Sequence, residues 1–209
     1  DSQIGFGSAA SRLNLNGSSL QTVTVDPAGF VGGSVAGVNT SSNVVNVLGT
    51  LEVTNTSTVS PNVIWDADNI RIKNALLLTS GRVSIASGKR LIIGNFSAVN
   101  TITCPTGYGF TSGTLSKWIN AANTKPVNPG TEYPGSDVSF KPSWYPFISG
   151  AKQDRSLYLM PNANPTVAGE VAINYTDAST VTGSLSITDG SYTINNRFNG
   201  NWAFSTPDS

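Results

Sequence analysis

Few residues of this chain are suited to chemistry, and two carboxylates near its middle are the first candidates. Asp66 and Asp68 lie two positions apart in WDADN, so both would face one side of a strand. Paired carboxylates could act in glycoside hydrolysis. With Asn69 they could instead bind calcium, which prefers clustered oxygen ligands. The segment lacks the glycine-spaced, acid-dense loop of a calcium motif, so we expect solvated acids in a turn and no metal site.

Nucleophilic and acid–base catalysis lack their usual partners here. The chain contains no histidine, which excludes Ser-His-Asp and Cys-His arrangements and His-ligated zinc. Cys104 is the single cysteine, so no disulfide can form within the chain, and we expect it to be a small buried residue. We therefore predict a protein that is not an enzyme and carries no cofactor.

Aromatic residues give a binding alternative. Tyr133, Trp144 and Tyr145, with Phe140 nearby, lie in a proline-rich segment. If exposed on a β scaffold, their rings could stack on sugar rings, and these three are the candidate ligand-binding residues. The same rings could instead cover the core beneath a long loop. The remaining tryptophans lie on candidate strands and are predicted to be core residues: Trp65, Trp118 and Trp202.

Composition narrows the class of protein. Of 209 residues, 38% are apolar and only 11% are charged, and the formal net charge is zero. A neutral chain without a basic stripe is not expected to bind nucleic acid. The longest apolar stretches are about five residues, against roughly 20 for a spanning helix, so we expect no membrane insertion. Ser, Thr, Asn and Gly fill the polar positions, which is typical of extracellular β proteins.

The elements are predicted from the period of the apolar residues. Between residues 43 and 94 apolar residues mostly alternate with Thr, Ser, Asn and Arg, the pattern of half-buried strands, and Gly49, Gly81 and Gly88 interrupt them. Strands are predicted in the first half at 12–16, 20–25, 43–47, 50–54, 62–66, 69–73, 75–79, 82–86 and 90–93. Residues 26–42 read as a loop, and no segment has a convincing helical period.

The second half has a different character. Six prolines lie between Thr103 and Pro146, where we predict a loop containing one clear strand, Leu115 to Ile119. Further strands are predicted at 155–160, 170–175, 184–188, 191–194 and 201–205, with a hairpin turn at Asp189-Gly190. The expected fold is all-β. Residues 1–100 would form stacked short strands, as a β-solenoid or a sandwich, and residues 101–209 a β-sandwich with a long proline-rich loop.

Several short motifs resemble a known group of proteins. LNGSSLQTV, VLGTLEVTN and LLLTSGRVSIASGKRLIIGN are similar to the strand and "nGtLtLtsG" steps of secreted surface proteins of the Bacteroidetes. The segment from Ser112 to Lys117 resembles their "sGpLsk" step, Val127 to Gly130 their "FPVG", and Tyr145 to Phe147 their "YRP". Asn201 to Phe204 is similar to their aromatic strand. The resemblance spans about residues 12–205 and departs from the pattern at 103–111 and 131–143.

This resemblance implies an adhesin or stalk module of a long cell-surface protein, exported by the type IX secretion system and located outside the cell. Carbohydrate binding through exposed aromatics is the alternative. Residues 2–11 and 199–207 hold no charge that would protect a strand edge. We therefore expect the ends of the chain to pair with neighbouring modules of one polypeptide or with identical copies. Surface glycans are further candidate partners.

Overall fold

A computed structural model describes residues 12–24, 46–67, 70–94, 101–119, 144–159, 166, 169–177, 187–189, 192–194 and 200–206. All regular structure in these ranges is β-strand, which confirms the all-β prediction. The strands are β1 (Arg12–Leu15), β2 (Gln21–Thr24), β3 (Asn46–Val53), β4 (Val63–Asp66), β5 (Ile70–Leu77), β6 (Arg82–Ile85), β7 (Arg90–Ile93), β8 (Thr101–Thr103), β9 (Gly109–Ile119), β10 (Trp144–Tyr145), β11 (Leu157–Tyr158), β12 (Gly169–Thr176), β13 (Ile187–Asp189), β14 (Tyr192–Ile194) and β15 (Asn201–Ser205).

Parallel strands build three ladders. The first ladder joins the first halves of β3 and β5, then β7 and the second half of β9. The second ladder joins β1, the second halves of β3 and β5, and β8. The third ladder joins β2, β4, β6 and the first half of β9. The chain passes from ladder to ladder and returns to each one a strand further along, so the parallel sheet is nearly closed.

Apolar side chains stack in register along these ladders. In the second ladder Leu13 pairs with Leu51, Leu51 with Leu76, and Leu76 with Ile102, and all four are buried. A one-residue slip would turn each of these side chains to the other face, so the alternating pattern fixes the register. The first ladder has a similar column, which β12 extends: Ile70, Leu91, Leu115 and Ile173.

Two irregularities let strands turn between ladders. The pairing of β3 with β5 shifts between Leu48 and Thr50, so Gly49 lies at a bulge where the strand bends. In β9 the turn occurs at Gly113, whose φ is +96°. A Cβ atom there would lie 2.3 Å from the carbonyl oxygen of Ile85, so only glycine fits this position without a shift of backbone.

Antiparallel strands follow the parallel part. β12 pairs with β9 and β15 with β12, so the sheet continues through residues from both halves of the sequence. Aromatic rings pack along this end of the core. The ring centroids of Phe147 and Tyr175 are 5.0 Å apart, and those of Tyr175 and Trp202 are 5.7 Å apart. The predicted hairpin is confirmed, because Asp189 pairs with Tyr192 across β13 and β14.

The structure corrects several predicted boundaries. The segments predicted at 43–47 and 50–54 fall, in their described residues, on the single strand β3 (Asn46–Val53). Those predicted at 69–73 and 75–79 likewise fall on β5 (Ile70–Leu77), because the chain bends at the ladder junctions without leaving the sheet. β9 begins at Gly109 and not at Leu115, and the described part of the predicted strand at 155–160, residues 155–159, contains only the two-residue strand β11. Residues 1–11, 26–42 and 120–143, predicted as linker or loop, lie outside the described residues. The division near residue 100 and the sandwich in the second half stay predictions.

Candidate functional site

The predicted ligand-binding aromatics lie in the interior. Trp144 is 3% exposed and Tyr145 is fully buried, so the premise that these two rings are exposed is wrong. The Tyr145 hydroxyl donates to the carbonyl oxygen of Val171 at 3.0 Å, which ties β10 to β12. The other expectation, that the rings cover the core, matches this burial. Tyr133 lies outside the described residues.

The predicted acidic pair is described only in part. Asp66 ends β4, is half-buried, and pairs in the ladder with Thr24. Asp68 and Asn69 lie outside the described residues. Within the described ranges no three Cys, Asp or Glu side chains are grouped so that they could hold a metal ion.

Cys104 is buried, as predicted, and its thiol is unpaired with another cysteine. The thiol donates to the carbonyl oxygen of Tyr108 at 3.0 Å, within a short turn. Burial, and secondarily the negative charge of Asp154, raises the pKa of Cys104 to about 12. Because the thiolate is the reactive form, this residue is a packing residue and a poor nucleophile.

A buried polar cluster that the sequence did not indicate joins the β3–β4 connection to β6. We call Asn55, Ser57, Asn62 and Arg82 the asparagine corner. The amide of Asn62 donates to the carbonyl oxygens of Asn55 and Ser80 at 3.0 and 2.9 Å, and its oxygen accepts from the Arg82 backbone at 2.8 Å. The Arg82 guanidinium donates to the carbonyl oxygens of Ser57 and Val59. The cluster provides hydrogen-bond partners for backbone groups of the turn that do not pair with a neighbouring strand.

Lys117 occupies a core position. It pairs in register with Ile93 on one side and Val171 on the other, and it is 3% exposed. Its Nζ donates to the carbonyl oxygen of Trp144 at 3.0 Å and lies 5.5 Å from the centre of the Tyr145 ring. Burial lowers the pKa of Lys117 to about 7. Since Leu115 points inward, the period of two would have placed Lys117 inward as well, so sequence reasoning could have found it.

The opposite face of this part of the sheet also carries buried charge. Glu170 lies 3.2 Å from the Nε atom of Arg90, and its side chain is 1% exposed. The Arg71 guanidinium stacks over the Trp118 ring at 5.2 Å from the ring centre. The contact between Glu170 of β12 and Arg90 of β7 spans β9, which lies between these two strands.

Exposed sheet edges are the described features best suited to binding. In the described part of the chain, four strands of the large sheet each pair with a single strand: β1, β2, β8 and β15, with β3, β4, β5 and β12 respectively. Such strands offer backbone donors and acceptors to another strand. On β15, which we call the β15 edge (Asn201–Ser205), every residue except Trp202 is exposed. Phe204 is 57% exposed although it pairs with the buried Ile173.

Comparisons with known proteins add nothing to this description. No protein-family model, no curated protein sequence and no solved structure matches the chain significantly. The described ranges hold no helix of the length and hydropathy needed to cross a bilayer. Function is therefore inferred from the residues and contacts of this chain.

Proposed function

We propose that this chain is a structural and adhesive module of a larger secreted cell-surface protein. The observation that carries the proposal is the stacking of parallel strands in three ladders around one apolar interior. Each strand adds a further layer to the same core, so such a stack behaves as a β-solenoid that can be lengthened without a change of plan. Repeating scaffolds of this kind suit stalks and fibres.

The surface of the third ladder supports an extracellular scaffold role. Its outward positions carry mostly small side chains: Thr22, Thr24, Ser84 and Ser112, interrupted by Ile64 and Asp66. The hydroxyls of Ser84 and Ser112 lie 2.8 Å apart, so neighbouring strands also contact through side chains. Such a face offers mainly hydroxyl groups, and in a chain with 11% charged residues and no net charge it exerts little electrostatic attraction.

The partners we propose are neighbouring modules of the same polypeptide or identical copies of this chain. They would add strands at the edges of the large sheet, where β1, β2, β8 and β15 are the described candidates. The resemblance to Bacteroidetes surface proteins would make the module a cargo of the type IX secretion system. Catalysis is not part of the proposal, since the chain lacks histidine and the buried amine of Lys117 points into the core.

Carbohydrate binding is the weaker alternative. It would have to use side chains other than Trp144 and Tyr145, which are interior. A glycan array probed with the 209-residue chain, with and without calcium, separates the two proposals. Saturable binding that is lost on substitution of an exposed side chain would favour the carbohydrate-binding module.

Single-molecule pulling tests the scaffold role directly. The chain, placed between well-characterised marker domains, should unfold in distinct force events, because each ladder must break many backbone hydrogen bonds together. A matched chain with Gly113→Ala, which disturbs the junction between two ladders, should unfold at lower force. Smooth extension at low force, without a resolved unfolding event, would contradict the proposal that this module resists mechanical force.

A further inference from the structure

We propose that the β15 edge is a self-association surface and that two copies of this chain pair there, antiparallel, about a two-fold axis through Ala203. The proposal rests on the proposed function in one respect: it takes identical copies of the chain as the binding partners. It names the edge, the direction and the register of the contact. If the pairing fails, the scaffold role of the single chain remains.

The first observation is an uncovered aromatic side chain at the end of the core face. Phe204 pairs in register with Ile173, which is fully buried, yet Phe204 is 57% exposed. The core face of the sheet therefore continues one strand beyond the side chains that cover it. Among the described residues, the other large exposed apolar side chains are Leu20 and Val59, which lie in connecting segments and not on strands.

The second observation is the symmetry of this short strand. Its five residues read Asn-Trp-Ala-Phe-Ser, with aromatic rings one position on either side of Ala203. Antiparallel pairing centred on Ala203 places Trp202 opposite Phe204 of the second copy, and Phe204 opposite Trp202. Cross-strand aromatic pairs of this type stabilise a sheet by roughly 0.2–1 kcal/mol each. The added ring would also continue the row formed by Phe147, Tyr175 and Trp202.

Charge distinguishes this edge from the one at β1. Residues 199–207 contain no charged side chain, so two copies of the β15 edge meet without repulsion. β1, by contrast, begins with Arg12, whose side chain is 56% exposed and pairs with Glu52 at 2.5 Å. A charged side chain on an edge strand disfavours further pairing. The charges therefore favour contact between two β15 edges over contact between β15 and β1.

Disulfide trapping tests the register. With Ala203→Cys the two thiols face each other across the axis, where Cα atoms of paired residues are about 4.5–5.5 Å apart, within disulfide range. Mild oxidation should give a covalent dimer. With Asn201→Cys the two thiols would be four residues out of register, about 13 Å apart, and should not link. Mixing Asn201→Cys chains with Ser205→Cys chains should restore the dimer, because these positions pair across the axis.

Cys104, which is buried, stays in every variant, and the unsubstituted chain is the control for its reactivity. Light scattering after size-exclusion chromatography gives the mass without oxidation. Phe204→Lys should convert the dimer to a monomer. Val59→Lys replaces a side chain with the same 57% exposure in a connecting segment and should leave the dimer intact. Circular dichroism checks that both variants keep the β spectrum.

Three outcomes would overturn the proposal. They are a monomer at all concentrations with no Ala203→Cys crosslink, efficient crosslinking of Asn201→Cys chains with one another, and open-ended oligomers in place of a dimer. The first would show that the edge does not pair, the second a different register, and the third a head-to-tail contact.

Discussion

Asn55 and Asn62 each donate a side-chain hydrogen bond to the other's backbone carbonyl oxygen, at 3.2 and 3.0 Å. The two residues flank the connection between β3 and β4, and both are almost completely buried. The amide of Asn55 also donates to the carbonyl oxygen of Ser19 at 2.8 Å, so the exchange joins three segments of the chain. In the turns of a parallel stack, some backbone carbonyl groups have no hydrogen-bond partner on a neighbouring strand. The side-chain amides of Asn55 and Asn62 donate hydrogen bonds to such groups.

Asn62→Ala should lower the free energy of unfolding by about 3 kcal/mol. The substitution leaves several buried backbone groups without a partner, each of which costs on the order of 1–3 kcal/mol, with partial relief from relaxation. Urea denaturation followed by tryptophan fluorescence measures the loss. Asn14→Ala is the control, because Asn14 is exposed and accepts one hydrogen bond from Thr54. A loss no greater than that of the control would contradict the role given to the asparagine corner.

Gly113→Ala should destabilise the protein far more than Gly88→Ala. Both glycines have positive φ, +96° and +75°, so both substitutions strain the backbone by about 1–2 kcal/mol. At Gly113 the new methyl group would also meet the carbonyl oxygen of Ile85 at 2.3 Å, whereas at Gly88 nothing lies within 4 Å. Thermal unfolding of the two variants gives the comparison. Equal shifts in Tm would show that β9 does not turn tightly at Gly113.

Stability should rise with pH between about 7 and 9 because of Lys117. Burial lowers the pKa of Lys117 from 10.5 to about 7 in the folded protein, so in this interval the unfolded chain holds the extra proton. The free energy of unfolding should then increase by up to about 1.4 kcal/mol per pH unit. Urea midpoints at pH 7.5, 8.0 and 8.5 measure the slope.

Lys117→Met removes the titrating amine, keeps the length of the side chain, and should make stability nearly independent of pH over this interval. Lys89→Met, on the turn after β6, is the matched control and should keep the original slope. An unchanged slope in Lys117→Met would show that another group carries the pH dependence.

Cys104 should not react with a thiol reagent such as 5,5′-dithiobis(2-nitrobenzoate) in the folded protein at pH 8. Its pKa, raised by burial to about 12, and its interior position leave almost no accessible thiolate. In urea the full equivalent of thiol should appear, at the rate of unfolding. Ser87→Cys adds an exposed thiol as the control and should react at once. Rapid labelling of the native, unsubstituted chain would contradict the burial.

Above pH 9, Cys104 contributes a decrease in stability with rising pH. There the unfolded chain loses the thiol proton, whose ordinary pKa is 9.0, while the folded chain keeps it to about 12. The folded state then holds more protons, and stability should fall as pH rises. Lys117 acts in the opposite direction until its ordinary pKa of 10.5, so the two contributions should nearly cancel between pH 9 and 10.5. Stability should therefore level off above pH 9 and fall only above about pH 10.5.

The strand prediction succeeded where local pattern decides the structure. Alternation places Val63 and Trp65 of β4 inward and Ile64 and Asp66 outward, as the burial pattern shows. The hairpin at Asp189-Gly190 could also be predicted from the sequence, because its turn depends on two neighbouring residues. Strand boundaries could not be predicted as well from the sequence, because β3 and β5 bend at the ladder junctions and yet remain continuous strands.

The sequence by itself determined the all-β class, the inward and outward faces of most strands, and the absence of histidine chemistry. Only the tertiary structure decided that Leu51 stacks on Leu76, that Lys117 lies beneath Trp144, and that Trp144 and Tyr145 are interior. The physical reason is that a period of two gives each strand two faces but does not select its neighbour. Pairing over long sequence separations selects it, and with it the charges that become buried and the edge that stays exposed.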